Sequence, residues 1–189
     1  MNKLEPGKFY HIYNRGNNRE NLFRETRNYA YFLKLYTSHI EPVANTFAYC
    51  LLYNHFHLLV QVTEVLPTDR RPSQAFANLF NAYARAFNRV YGRTGALFQR
   101  PFGRIEVTTA AYRKQLVTYL HKNPQKHGLV SDFRTWPYSS YHTLTATMPT
   151  RLQRDEVLTW FGGVEALRKA HLRGISANKI EKLTPDDVD

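Results

Sequence analysis

The sequence contains one cysteine, Cys50, in 189 residues. A single thiol cannot close an internal disulfide, and no Cys-based zinc motif can be assembled from it. Such usage fits a reducing compartment. Long apolar runs are lacking as well. No stretch approaches the ~18 uninterrupted apolar residues of a membrane span, and the first residues, Met1-Asn2-Lys3-Leu4-Glu5-Pro6-Gly7, do not read as a signal peptide. The expectation is a cytoplasmic protein with no membrane partner. Internal repeats and low-complexity tracts are also missing. Acidic residues are scarce, 15 against 26 Lys and Arg, which leaves a formal charge of +11.

That shortage directs attention to what is abundant. Hydrophobic residues make up 43% and aromatics 14%, enough for a real core, and the length suits one domain with a modest extension. The basic excess is spread along the chain rather than gathered in a tail. A folded basic surface rich in Arg, Tyr and Phe suits a polyanion, nucleic acid above all, with ordinary solvated charge as the competing explanation.

The pattern along the chain predicts an alternating fold. Lys8 to Tyr13 reads as a strand stopped at Asn14-Arg15-Gly16. A helix follows from about Thr26 to Ile40, with Tyr29, Phe32, Leu33, Tyr36 and Ile40 on one face. Thr46 to Leu52 and His55 to Val62 read as two strands around a break at Tyr53-Asn54. An amphipathic helix starts near Ser73, expected as its N-cap, with a stripe of Phe76, Leu79, Phe80, Tyr83, Phe87 and Val90. A basic loop opened by Gly92 and Gly95 leads to a strand at Arg104 to Thr108. A third helix runs from about Thr109 to Lys122, ended by Asn123-Pro124. The order β-α-β-β-α-β is that of an α+β, ferredoxin-like split βαβ antiparallel sheet with helices on one face. An irregular aromatic segment from Trp136, short helices between about 155 and 172, and a polar tail complete the chain.

His55 and His57 flank Phe56 on a predicted strand. Side chains two apart share a face, so both imidazoles project together while Phe56 and Leu58 enter the core. Two nitrogens so placed can hold one divalent ion, and two half-buried histidines bonded to carbonyls would share the pattern. On the third helix, Tyr119 and Asn123 are at i and i+4 and lie on one face. A helix laid across the sheet could bring a phenol and an amide to the histidines. The phenol, with a free pKa of ~10, is a poor nucleophile, and polarising a phosphodiester would help it attack. An ordinary core tyrosine fits the same spacing, and Tyr112 lies two turns away on nearly the same face.

The run Tyr49-Cys50-Leu51-Leu52-Tyr53-Asn54-His55-Phe56-His57-Leu58-Leu59 resembles the metal motif of single-tyrosine HUH transposases. Further matches follow in order: Tyr13-Asn14-Arg15-Gly16, Gly95 to Gln99, Tyr119-Leu120-His121-Lys122-Asn123-Pro124, Gly128-Leu129-Val130 and Trp136 to Tyr141. Together they resemble the REP-associated tyrosine transposase branch over about residues 5 to 141.

The resemblance implies a catalytic domain at residues 1–141; beyond it the residue pattern alone reads as a C-terminal helical extension and polar tail at 142–189. The resemblance also implies Mg²⁺ or Mn²⁺ on His55 and His57, Asn123 as a third ligand, and Tyr119 as the nucleophile. The DNA would be cut to a 5′-phosphotyrosine and a free 3′-hydroxyl, and later rejoined. Tyr53 departs from the family, whose members usually carry proline there. Single-stranded or hairpin DNA would be the partner, bound by a monomer or homodimer associated with the nucleoid. Arg15 and Arg100 are the chosen DNA contacts among the basic residues near the loops, which also include Arg19, Arg93, Arg104, Arg113 and Lys114. Gln99, Phe98 and Phe102 are candidates for contacts to unpaired bases. Competing functions are a domesticated nucleic-acid-binding protein, and a zinc hydrolase using His55, His57 and His121.

Overall fold

The computed structural model describes residues 3–68 and 71–173. Four strands form one antiparallel sheet: β1 (Phe9–Arg15), β2 (Ala44–Leu51), β3 (His55–Val62) and β4 (Gly103–Glu106), in the order β2-β3-β1-β4. Helix α1 (Thr26–His39) crosses from β1 to β2, and α2 (Pro72–Val90) crosses from β3 to β4. Each crossover joins strands separated by one other, which is the split βαβ arrangement expected. Helix α3 (Ala110–Lys126) follows β4, and α4 (Tyr141–Thr145), α5 (Arg154–Phe161) and α6 (Val164–Leu172) complete the described chain. The tail expected after α6 lies outside the described residues from position 174 onward.

Alternation along the strands divides the interior in two. Tyr10, Ile12, Phe56, Leu58 and Val60 face α1 and α2, where they meet Phe32, Phe76, Leu79, Phe80 and Tyr83. Burial of each large apolar side chain contributes about 1.5–3 kcal/mol, so the stripe on α2 fixes that helix on the sheet. Phe47, Ala48, Cys50 and Leu59 face the other way. There they pack with Leu116, Val117, Tyr119 and Leu120 of α3, and with Leu144, Val157 and Leu167 from the C-terminal helices. The two crossover helices thus share one face, and α3 with the C-terminal helices covers the opposite one.

Local chemistry sets the helix ends. Glu25 caps α1 in a reciprocal box with Asn28. Helix α2 begins one residue before the expected cap: Pro72 occupies its first turn, Arg71 precedes it, and Ser73 Oγ accepts a hydrogen bond from Arg104 instead. Proline suits that position because its missing N–H would have had no partner there. Thr109 caps α3 by accepting from the Tyr112 amide. At its far end α3 does not stop at Asn123 but runs through Pro124 to Lys126. The ring costs one backbone bond in the final turn, while the amides of His127 and Leu129 still close onto the carbonyls of Asn123 and Pro124. Asn123 therefore lies inside the helix, fully buried.

The Trp136–Tyr141 segment is a clamp on β2. Trp136 Nε1–H donates to the Leu51 carbonyl, Leu51 N–H to the Tyr138 carbonyl, and Ser140 N–H to the Tyr49 carbonyl. Tyr138 stacks on Tyr29 with ring centroids 3.4 Å apart. These aromatics are packing elements.

A buried chain of hydrogen bonds ties α6 to α3. His171 Nδ1–H donates to the Leu167 carbonyl, which leaves its Nε2 to accept from His121 Nδ1–H at 2.7 Å. His121 Nε2 then accepts from Ser140 Oγ–H at 2.7 Å. Burial lowers the pKa of both imidazoles, to about 4 for His171. The unfolded chain, near ~6.5, takes up these protons more readily than the folded one. Stability is thus full above about pH 6.5 and declines as pH falls towards 4, with about 3 kcal/mol available from His171. Denaturant titrations across that range should show the decline, and His171→Gln should show a smaller one from a lower starting stability.

Gly103 lies directly opposite Tyr13 in the β1–β4 ladder. A Cβ there would sit 2.1–2.5 Å from the Tyr13 ring. Gly103→Ala should lower stability by about 1–3 kcal/mol through overpacking, measured as a shift in urea midpoint at unchanged m-value.

Candidate active site

The site lies on the face of the sheet covered by α3. His55 and His57 project from β3 towards that helix, opposite Arg15 and Tyr13 of β1 in register. Their ring centroids are 5.1 Å apart with planes near perpendicular. The Tyr119 ring meets His57 edge to face at 5.9 Å. The structure thus brings three of the sequence-predicted residues together, with Asn123 one turn beyond Tyr119 on α3.

Each imidazole is held by one nitrogen. His55 Nδ1 is 2.7 Å from Asn54 Oδ1, and His57 Nδ1 is 3.0 Å from His11 Nε2. Their Nε2 atoms, and both amide atoms of Asn123, are buried without a hydrogen-bond partner among the described residues. Buried polar atoms left without a partner are costly unless something else engages them. Burial is the main cause that lowers the pKa of both histidines, to about 3 for His55 and well below the usual range for His57. His127, Arg15 and Lys126 add positive charge around His55, and His57 also feels His55 and His11. Both imidazoles are therefore neutral at physiological pH, with a lone pair available.

Two neutral imidazoles with orphaned Nε2 atoms fit a divalent cation in donor chemistry, and Asn123, one turn beyond Tyr119 on α3, carries an amide of the type that could join them. Among the described residues, no group of three or more His, Cys, Asp and Glu side chains is arranged to hold a metal by itself. Cys50 faces His57 across the β2–β3 ladder, but burial raises its thiol pKa and keeps it a neutral packing group. His121 is engaged by His171 and Ser140, so the set of His55, His57 and His121 needed for a zinc hydrolase does not form.

Sequence reasoning missed four neighbours. His11, Asn54, His127 and Lys126 all adjoin the pair: the His127 ring is 4.9 Å from His55, and Lys126 Nζ is 5.4 Å from the Tyr119 ring centroid. Asn54 stood within the matched motif without a role. His11 shares its strand face with Tyr13, a signal that only becomes specific once β1 is paired with β3. His127 and Lys126 come after Pro124, where the helix was expected to have ended.

The basic residues divide into three groups. Arg15 sits beside His55 at the end of β1. Arg100 lines a groove of about 930 Å³ between α2 and the loop before β4, together with Asn14, Asn81, Arg85, Gln99, Phe102 and Arg104. Arg93 instead pairs with Glu20 and bonds the carbonyls of its own loop. Arg113 lies over Phe9 and Trp160, and Lys114 lies near Phe161. Arg93, Arg113 and Lys114 therefore serve packing rather than the site. Among the described residues no helix is long and apolar enough to cross a membrane.

No family model matches the sequence. A Haemophilus influenzae protein named as a REP-associated tyrosine transposase is 31% identical over 106 residues, covering 51% of this chain. The chain spans 58% of that relative's length. Among solved structures, a REP-associated tyrosine transposase bound to a REP hairpin superposes with a TM-score of 0.60 at 20% identity, over 79% of this chain and 87% of that one. In sequence over half its length this chain is similar to the first of these proteins, and in fold over most of it to the second.

Proposed function

We propose that the protein cuts and rejoins single-stranded DNA at hairpins formed by repeated sequence, through a covalent link on Tyr119. The observation that carries this reading is the meeting, within one chain, of the Tyr119 ring and a pair of neutral, buried histidines with orphaned Nε2 atoms. Because the constellation is complete in one copy, a monomer suffices.

The Tyr119 oxygen attacks a phosphorus of the strand, the bond from phosphorus to the 3′ oxygen breaks, and a 5′-phosphotyrosine and a free 3′-hydroxyl result. The phenolic proton leaves to solvent and the departing oxygen takes one up. In the reverse step that hydroxyl, or another, attacks the phosphotyrosine and restores a phosphodiester. His55, His57 and Asn123 would hold Mg²⁺ or Mn²⁺, which supplies charge neutralisation at a phosphoryl oxygen. Two nitrogen donors favour Mn²⁺, since Mg²⁺ prefers an all-oxygen shell. Lys126, at the mouth beside Tyr119, and Arg15, beside His55, add positive charge where a phosphate would lie. The groove lined by Arg85, Arg100 and Arg104 would carry the flanking strand by its phosphates.

A second reading is a DNA-binding protein without strand transfer. Tyr119 is only 1% exposed, so the covering side chains must move before a phosphate can reach it. Lys126, an exposed residue with its Nζ 5.4 Å from the Tyr119 ring centroid, is one of them.

Incubation with labelled hairpin DNA from repeats flanking its own gene separates the two. A covalent adduct should form with Mn²⁺ at lower metal concentration than with Mg²⁺. It should disappear in Tyr119→Phe and His57→Ala and persist in Tyr112→Phe. Tight binding with no adduct under either metal would leave only the binding function. Arg15→Ala and Arg100→Ala should each weaken binding and reduce the salt dependence of log K by about one unit of slope; an unchanged slope would remove that residue from the interface.

A further inference from the structure

His11 is fully buried on β1, yet nothing in the proposed reaction uses it. Its Nε2 lies 3.0 Å from Nδ1 of His57, and the rings lie nearly parallel with centroids 5.2 Å apart. A bond between two imidazole nitrogens has one donor and one acceptor. If His11 donated, the proton of neutral His57 would have to sit on Nε2, a buried atom with no acceptor among the described residues. Burying such an N–H costs about 1–3 kcal/mol. If His57 donates from Nδ1, its Nε2 keeps a lone pair directed away from His11. The second arrangement is the one a cation ligand needs, because metal-binding histidines are oriented by what their other nitrogen donates to.

His55 shows the same logic with a less ambiguous partner. Its Nδ1 is 2.7 Å from Asn54 Oδ1, an amide oxygen that can only accept. His55 thus also carries its proton on Nδ1 and its lone pair on Nε2. Both histidines are anchored at the same ring position, one by an amide from the preceding turn and one by an imidazole from the neighbouring strand.

We propose that His11 is a positioning residue that accepts the Nδ1 proton of His57, fixing its tautomer and ring direction so that Nε2 is presented to a divalent cation. The role rests on the reading of His55 and His57 as cation ligands. The register explains how the contact arises. Tyr13 is the direct partner of His57, and His11, two residues earlier on the same strand, is its diagonal neighbour, within reach of a long side chain. The Tyr13 ring lies tilted beside both, 5.0 Å from His11 and 6.1 Å from His57.

The test uses the full chain and Mn²⁺ alone as the probe. Mn²⁺ affinity is read from the free-ion electron paramagnetic resonance signal. The histidine tautomers are read from two-bond nitrogen–proton couplings in ¹⁵N-labelled protein. The wild type should show His57 protonated on Nδ1. His11→Phe, which keeps the ring volume and removes the acceptor, should weaken Mn²⁺ binding roughly 10–100-fold, and His11→Gln, which restores an acceptor oxygen, should recover part of it. His57→Ala should abolish specific binding. Wild-type His57 protonated on Nε2 would overturn the positioning role directly, even if His11→Phe failed to fold. Wild-type Mn²⁺ affinity in folded His11→Phe, with His57→Ala inactive in binding, would overturn it while leaving the ligand pair intact. Equal affinity in wild type and His57→Ala would instead remove the ligand pair, and the proposal with it.

Discussion

Taking two imidazoles out of water without giving them charge is the constraint on which the site depends. A protonated pair at a ring separation of 5.1 Å in a buried setting would repel and be desolvated at once. Both rings therefore stay neutral, and each must find one partner for its N–H and one use for its lone pair. Asn54 and His11 meet the first demand. The second is met by no group of the described chain, which is the physical reason for proposing a cation there.

Strand β1 is the hub through which this requirement reaches the fold. On one face it supplies His11, Tyr13 and Arg15 to the histidines of β3; on the other, Tyr10 and Ile12 enter the core beneath α1 and α2. It also bonds β4, where Gly103 leaves room for the Tyr13 ring. The opposite wall is α3, whose Leu116, Val117 and Leu120 are anchored among β2 and the C-terminal helices. The His121–His171 bond fastens that helix from behind, so elements remote from Tyr119 determine where its ring rests.

The element order and the His-x-His strand were legible because alternation and helical spacing are local properties. β3 runs over His55–Val62 as the pattern indicates, and Phe56 and Leu58 turn to the core opposite the histidines. The end of α3 was not legible. Proline normally expels its predecessor from a helix, but in a last turn the lost bond is a small part of what packing returns, so Asn123 stays helical. Position 73 misled for a similar reason: serine is a good cap, yet Pro72 already fits the first turn. His11 and Lys126 could not be found from spacing, because their relation to the site is made by strand pairing and by the extra helical turn. The basic residues were the least legible. Arg93 and Arg113 look like DNA contacts in a list of charges and are committed to Glu20 and to Phe9 and Trp160 in the folded chain.

The clamp of residues 136–141 on β2 also bears on how copies of this chain could associate. A sheet edge with unsatisfied N–H and C=O groups invites another strand. On β2 those groups are occupied: the Tyr49 and Leu51 amides and the Tyr49 and Leu51 carbonyls bond to Trp136, Tyr138 and Ser140, and the Thr46 carbonyl accepts from Gln153. A continuous sheet running from one molecule into the next cannot begin there. The other edge, β4, is four residues long and carries Arg104 and Glu106, a short charged border that is a poor template for strand addition. Both borders of the sheet are thus poorly suited to adding a strand from a second molecule.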